Sequence, residues 1–498
     1  MKLKPIKLIL TLSVLSAAAL NIFAQNHVVT SSTTENNQSY EGIADDAALR
    51  VEGSGVTYNG TNITLSNTFN GGTYADDRVG RGLWVGSGGV LFLTGGSITT
   101  TGTYGHGIVF NANSSGTLNG VYIETNERNA NGVATGNFAS LTMTGGTVTT
   151  NGYGEYAVSL GVDSSSTLNN VVIESKGDNN AAVRVSSATL EMTGGSITLS
   201  GNAGSAIYAS NASSSTLKNL NMEVGDAGRG VYLLSGATAN LTDSNIHISG
   251  SGSYGFLLTG TSSLTANLNG NTLGGSGADN TAIRAMQSST VALTGSNGSI
   301  ITGNVTGTSY GNISLALSGG SELHGDVTSS GGATVAISLS GAGTEMHGNL
   351  ILSGGGIYLT LSDGALLDGN FTVKKNSRIT GGGGIFNGEL ILESGAIIGY
   401  ADGGLLVTGS LSIGNGILVD LSALTGEGAY TVLDWSGASV SSSITDTQFT
   451  VTNLDESLQG TFSVDNNQLT FNATAVPEPA TWFLIGFGLG ALALIRRR

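Results

Sequence analysis

Gly82-Leu83-Trp84-Val85 with Leu91-Phe92-Leu93-Thr94-Gly95-Gly96-Ser97-Ile98, then Gly107-Ile108-Val109-Phe110 with Thr117-Leu118-Asn119-Gly120-Val121-Tyr122-Ile123, are one pattern written twice, 25 residues apart. Its first element, a small residue followed by an apolar one, recurs at Gly132-Val133, Ala157-Val158, Ala182-Val183, Ala206-Ile207, Gly230-Val231, Gly255-Phe256 and Ala282-Ile283. From Gly82-Leu83 onward the steps are 25, 25, 25, 25, 24, 24, 25 and 27. Self-similarity at a fixed period of this size is the signature of a solenoid.

A second register runs beside the first. Leu93, Leu118, Met143, Leu168, Met192, Leu217 and Leu241 each stand five residues before Ile98, Ile123, Val148, Ile173, Ile197, Met222 and Ile246. Each coil therefore carries three short apolar segments separated by Gly/Asn/Ser turns. Within them the alternation has period two (Leu83 and Val85, Ile108 and Phe110), as in strands with one face inward. The expected fold is all-β, a right-handed parallel β-helix whose inward Val, Ile and Leu form ladders along the axis. No coil can bury its apolar face alone, so stability must come from stacking. The outward residue after the last core position reads Thr99, Glu124, Thr149, Glu174, Thr198, Glu223, His247. Coils lie about 4.8 Å apart, and interposed threonines double the separation of the glutamates, which lowers their repulsion.

After about residue 300 the period shortens. Gly303-Asn304-Val305, Gly325-Asp326-Val327, Gly348-Asn349-Leu350, Gly369-Asn370-Phe371, Gly388-Glu389-Leu390 and Gly409-Ser410-Leu411 step by 22, 23, 21, 19 and 21. From about Gly426 the repeat is lost. Tyr430–Trp435, Phe449–Thr452 and Thr461–Phe471 read as antiparallel strands closing the open sheet edge, which is otherwise a template for aggregation. The domain boundaries so expected are a leader at 1–24, an N-terminal segment or cap at 25–81 and ~25-residue coils at 82–300. There follow ~21-residue coils at 301–425, a strand cap at 426–475 and a tail at 476–498. Sixteen or so coils make a rod roughly 80 Å long.

Composition agrees. The 498 residues include 79 Gly, 3 Pro and no Cys, and only 10% are charged. Pro5, Pro477 and Pro479 are the prolines, so no residue from 6 to 476 lacks a backbone N–H for a sheet ladder. The net charge is −16; without the six basic residues of leader and tail, 12 basic residues face 34 acidic ones, a balance of −22. Nucleic acid and anionic membrane surfaces are poor partners for such a body.

The two ends carry addresses. Met1–Lys7 is basic, Leu8–Leu20 is an apolar run of signal-peptide length, and Asn21-Ile22-Phe23-Ala24 offers cleavage after Ala24. At the other end stand Val476-Pro477-Glu478-Pro479, an apolar segment over 480–495 with Trp482 near its start, and Arg496-Arg497-Arg498 as a basic membrane stop. Sixteen helical residues span about 24 Å, short for a ~30 Å hydrocarbon core. This tail resembles the PEP-CTERM sorting signal in order, spacing and terminal position. The resemblance implies recognition by a membrane-embedded exosortase, cleavage near Pro477-Glu478-Pro479, and a cargo bound for the cell surface or extracellular matrix after a transient stay in the membrane. Residues 80 to 475 also resemble the pertactin-like passengers of autotransporters, though no outer-membrane barrel follows them.

Candidate chemistry inside the body is sparse. His324 and His347, in Glu322-Leu-His-Gly-Asp326 and Glu345-Met-His-Gly-Asn349, lie 23 residues apart, and Asp368 takes the same place one coil on. Stacked, these three are the weak candidates for a divalent metal; otherwise a polar outward position simply repeats with the coil. A polysaccharide lyase or hydrolase needs carboxylates converging on neighbouring coils. The densest charged patch is Asp76-Asp77-Arg78 with Arg81, whereas Arg184, Lys218, Arg229 and Arg284 look scattered and Trp84 and Trp435 isolated. Tandem calcium-binding nonapeptides are absent, and the glutamates interrupt any all-threonine ice-binding stripe. The expectation is a non-enzymatic surface or matrix protein, structural or adhesive, without cofactor. The alternative is a polysaccharide-active or polysaccharide-binding β-helix.

Overall fold

The computed structural model describes residues 24–42, 46–70, 80–275 and 279–476. They form an all-β parallel solenoid of about 16 turns with almost no helix. A typical turn contributes strands to three faces: Ser115–Asn119 on face A, Tyr122–Thr125 on face B and Val133–Thr135 on face C. In several turns faces A and B merge into one bent strand, as in Val90–Thr100 and Ser165–Ser175.

Register follows the sequence period. Leu118 pairs with Leu93 below and Met143 above, Ile123 with Ile98 and Val148, and Val133 with Ile108 and Val158. All nine are buried. Burying each such side chain contributes about 1.5–3 kcal/mol, which only a stacked neighbour makes available.

Within the stretch expected as an N-terminal segment or cap, described strands pair in parallel with the solenoid. His27–Val29 pairs in parallel with Leu49–Val51, and that strand with Leu83–Val85. Most inward positions of this stretch are aliphatic, Val29, Leu49, Val51, Ile63 and Leu65 among them, but one column begins polar. Glu35 and Gly60 precede Leu93 in one column. Glu35 accepts hydrogen bonds from the hydroxyls of Tyr40 (2.6 Å) and Tyr58 (2.8 Å), and His27 stacks on Tyr40 at 4.4 Å. At this column the core thus ends in hydrogen-bonded rather than apolar side chains.

The shorter coils arise at the corner between faces B and C. There the chain crosses from Thr100 to Ile108 in a 25-residue coil but from His324 to Val327 through Gly325-Asp326 alone in a later one. Asn304, Asp326, Asn349 and Asn370 stack at this corner. The side-chain oxygen of each accepts the backbone N–H of its successor (Asp326, Asn349, Asn370 and Glu389) at 2.8–3.1 Å.

At the C-terminal end Gly428–Asp434 and Leu458–Asp465 flank Gln468–Ala475 in antiparallel pairing. The hairpin turns through Asn466 and Asn467, both at positive φ (50° and 61°), the backbone of a two-residue hairpin turn. Phe449–Thr452 differs from expectation: it pairs in parallel with Ile417–Asp420, a further solenoid strand beneath the cap.

Candidate functional sites on the outward ladders

The face B stripe is continuous. Thr99, Glu124, Thr149, Glu174, Thr198, Glu223 and His247 stand in one column, each paired with the next. Each glutamate has a local partner. Glu124 accepts from Tyr122 Oη (3.1 Å) and Asn151 Nδ2 (3.0 Å), Lys176 Nζ lies 3.1 Å from Glu174, and His247 Nε2 lies 3.9 Å from Glu223. Carboxylates two coils apart are separated by roughly 9.6 Å along the axis.

Further along the same column the structure brings His324, His347 and Asp368 together. The two imidazoles stack at 5.1 Å between centroids, 11° from parallel, and His347 Nδ1 lies 3.6 Å from Asp368 Oδ2. Their Nε2 atoms face glutamates of their own strands, His324 to Glu322 at 2.6 Å and His347 to Glu345 at 2.9 Å. Stacked rings point their nitrogen lone pairs alongside each other rather than at a common centre. Among the described residues, no group of three or more His, Cys, Asp or Glu is arranged to hold a metal ion.

Asp76-Asp77-Arg78 lie outside the described residues, while Arg81 is buried and its carbonyl accepts from Asn67 Nδ2 at 2.9 Å. Trp435 is buried, and Trp84 lies under the Arg50 guanidinium at 5.9 Å. Inside the B–C corner, Glu155 is buried, and among the described residues no cation pairs with it. Its carboxylate accepts only weak bonds from the N–H groups of Ala130 (3.4 Å) and Gly152 (3.2 Å), and burial pushes its pKa up to about 8. Burial, with Arg81 nearby, holds His106 well below the usual imidazole range, so it is neutral.

Face C holds what the sequence did not disclose. Arg184, Tyr208, Tyr232, Leu257 and Arg284 form one outward column. Beside it runs a second: Tyr156, Ala181, Ser205, Arg229, Tyr254. In the strand Arg229–Leu233, as in Tyr254–Leu258 and Thr281–Ala285, the second and third residues are both buried, so Arg229 and Tyr232 both face outward. Three of the four basic residues that looked scattered thus share a face with four tyrosines; Lys218 alone belongs to face A. Arg184 lies over the Tyr156 ring and Arg229 over the Tyr232 ring, each at 5.3 Å, and Tyr208 meets Tyr232 edge-on at 5.4 Å. The small side chains of Ala181 and Ser205 leave a hollow of about 230 Å³ between Tyr156 and Arg229. Writing the residues flanking each small–apolar pair as columns would have exposed this stripe.

Val476 ends the described chain. Its N–H donates to Ser457 at 2.8 Å, and the Ala475 N–H to Glu427 at 2.8 Å. Leader, apolar tail and arginine cluster lie outside the described residues. Among those described, no helix is long and apolar enough to cross a membrane.

Fold and ladders define a repeat protein, a parallel β-solenoid with polar outer columns. Residues 475–498 match the PEP-CTERM protein-sorting motif, so the chain carries the signal of an exported protein sorted by an exosortase. Among solved structures it is similar to the autotransporter UpaB from E. coli strain CFT073. The identity is 15% over 90% of this chain and 100% of that one, with a TM-score of 0.25. No curated protein sequence matches the chain.

Proposed function

We propose that this is a cell-surface or extracellular-matrix protein of structural and adhesive role. An exosortase releases it near Pro477-Glu478-Pro479, and it then presents its solenoid as a rigid polar rod. The observation that carries this reading is the junction at Val476. The strand cap completes its last pairing at Ala475, immediately before the sorting motif, so the tail can be removed without opening the core. The outer columns support it too. Ser140, Thr142 and Thr144 on face A stack on Ser165, Thr167 and Asn169, a hydrogen-bonding surface repeated along the axis and suited to matrix polymers.

The test is surface accessibility in a host that carries an exosortase. Protease shaving of intact cells should digest the body of the full chain. A chain lacking residues 477–498 should stay protected in the periplasm. Equal accessibility of both forms would contradict the proposal.

A further inference from the structure

We propose that the tyrosine–arginine stripe of face C binds an acidic polysaccharide lying along the solenoid axis, with a carboxylate on every second sugar. The inference rests on the surface reading above only in supplying the compartment where such a polymer is met.

Three observations carry it. First, the body is strongly acidic with 12 basic residues, yet Arg184, Arg229 and Arg284 gather on one face, and none of them forms an ion pair among the described residues. The Nε atoms of Arg229 and Arg284 are buried with no hydrogen-bond partner. Arg229 is held by the Ala203 carbonyl (3.1 Å) and Arg284 by Tyr254 Oη (3.3 Å), each through Nη1. The buried Nε atoms are out of a surface ligand's reach, but each guanidinium keeps Nη donors beyond that one bond, and these suit a carboxylate.

Second, the arginines are interleaved with aromatic rings bordering a hollow floored by Ala181 and Ser205. An apolar ring face beside hydrogen-bonding groups accepts the C–H face of a pyranose, and Asn179 and Ser205 line the same hollow.

Third, the spacing is regular. Arg184, Arg229 and Arg284 lie on alternate turns, a step of roughly 9.6 Å, close to the length of one disaccharide. Arg184 and Arg284 share one column and Arg229 stands in the one beside it, so a polymer with one carboxylate per disaccharide that covers both columns meets an arginine at every second turn. Duplex nucleic acid carries a charge every ~1.7 Å and is strongly repelled by so acidic a body.

The test is calorimetric titration of the full chain with hyaluronan oligosaccharides, which alternate uronate and hexosamine. Polygalacturonate, dextran and duplex DNA serve as competing probes. Hyaluronan should bind, more weakly as salt rises, and Arg184→Gln and Arg284→Gln should each lower affinity roughly tenfold. Tyr208→Ser should also weaken binding, while Lys176→Gln on face B should leave it unchanged. Circular dichroism melting of each variant separates a lost contact from a lost fold. Dextran binding as tightly, DNA binding more tightly, polygalacturonate binding with no preference for alternation, or no binding at all would each overturn the proposal. None of these outcomes bears on export or tail cleavage, which are read separately.

Discussion

A Cβ on Gly348 would stand 2.2 Å from the carbonyl oxygen of Gly325, because the two glycines stack at the corner between faces B and C. Both have φ near 150° (152° and 153°), outside the range of other residues. Gly369 repeats the contact above, its added Cβ meeting the Gly348 oxygen at 1.9 Å. The glycine of each Gly-Asn/Asp pair is thus what lets the short coils stack without a loop, and the Asn or Asp supplies the hydrogen bond to the next coil.

Gly348→Ala should therefore destabilise the later coils by about 2 kcal/mol or more. Urea denaturation should show a lower midpoint. Ser353→Ala, at the exposed end of Leu350–Ser353, should change it little. An unchanged midpoint in Gly348→Ala would show that the corner relaxes freely.

Thr125 makes the opposite case. It points inward in the column Thr100, Thr125, Thr150, Ser175, and its hydroxyl is buried with no hydrogen-bond partner. Val has the same shape without the hydroxyl, so Thr125→Val should leave stability unchanged or raise it by up to about 1 kcal/mol. Thermal melting checks this, and a loss of more than about 1 kcal/mol would mean the hydroxyl has a bound partner such as water.

Glu155 sets a pH dependence. Its folded pKa of about 8 lies above the ordinary 4.5, so between these values the folded state holds a proton the unfolded chain has released. Its stabilising contribution is complete below pH 4.5 and is lost as pH rises through about 8. Glu155→Gln keeps the shape without the charge. Its melting temperature relative to the parent should rise steadily from pH 5 to pH 8, and a difference independent of pH would show that the carboxylate is solvated. Taking the difference cancels the contribution of buried His106, which acts in the other direction by destabilising the fold at acid pH.

The solenoid was legible because Gly82 to Ile283 repeats almost without slippage, and one inward residue per strand suffices to reveal a period. The N-terminal turns were not, because their steps are uneven: Leu49 pairs with His27, 22 residues back, and with Leu83, 34 ahead. Their inward Glu35 and His27 also break the apolar pattern. Phe449–Thr452 has the alternation of any strand, and only the turn before it decides parallel or antiparallel pairing. Face C stayed hidden because its arginines fall in two columns and strands such as Arg229–Leu233 and Tyr254–Leu258 turn two non-alternating residues outward. His324, His347 and Asp368 were placed in register by the period alone, but the period says nothing about where ring nitrogens point.

Delivery of the solenoid to the surface by a tail that is then removed is tested by intact-mass and C-terminal peptide analysis of the surface or secreted form. A chain ending near Pro477 to Pro479 is expected, whereas a surface form intact through Arg498 would rule out removal of the tail.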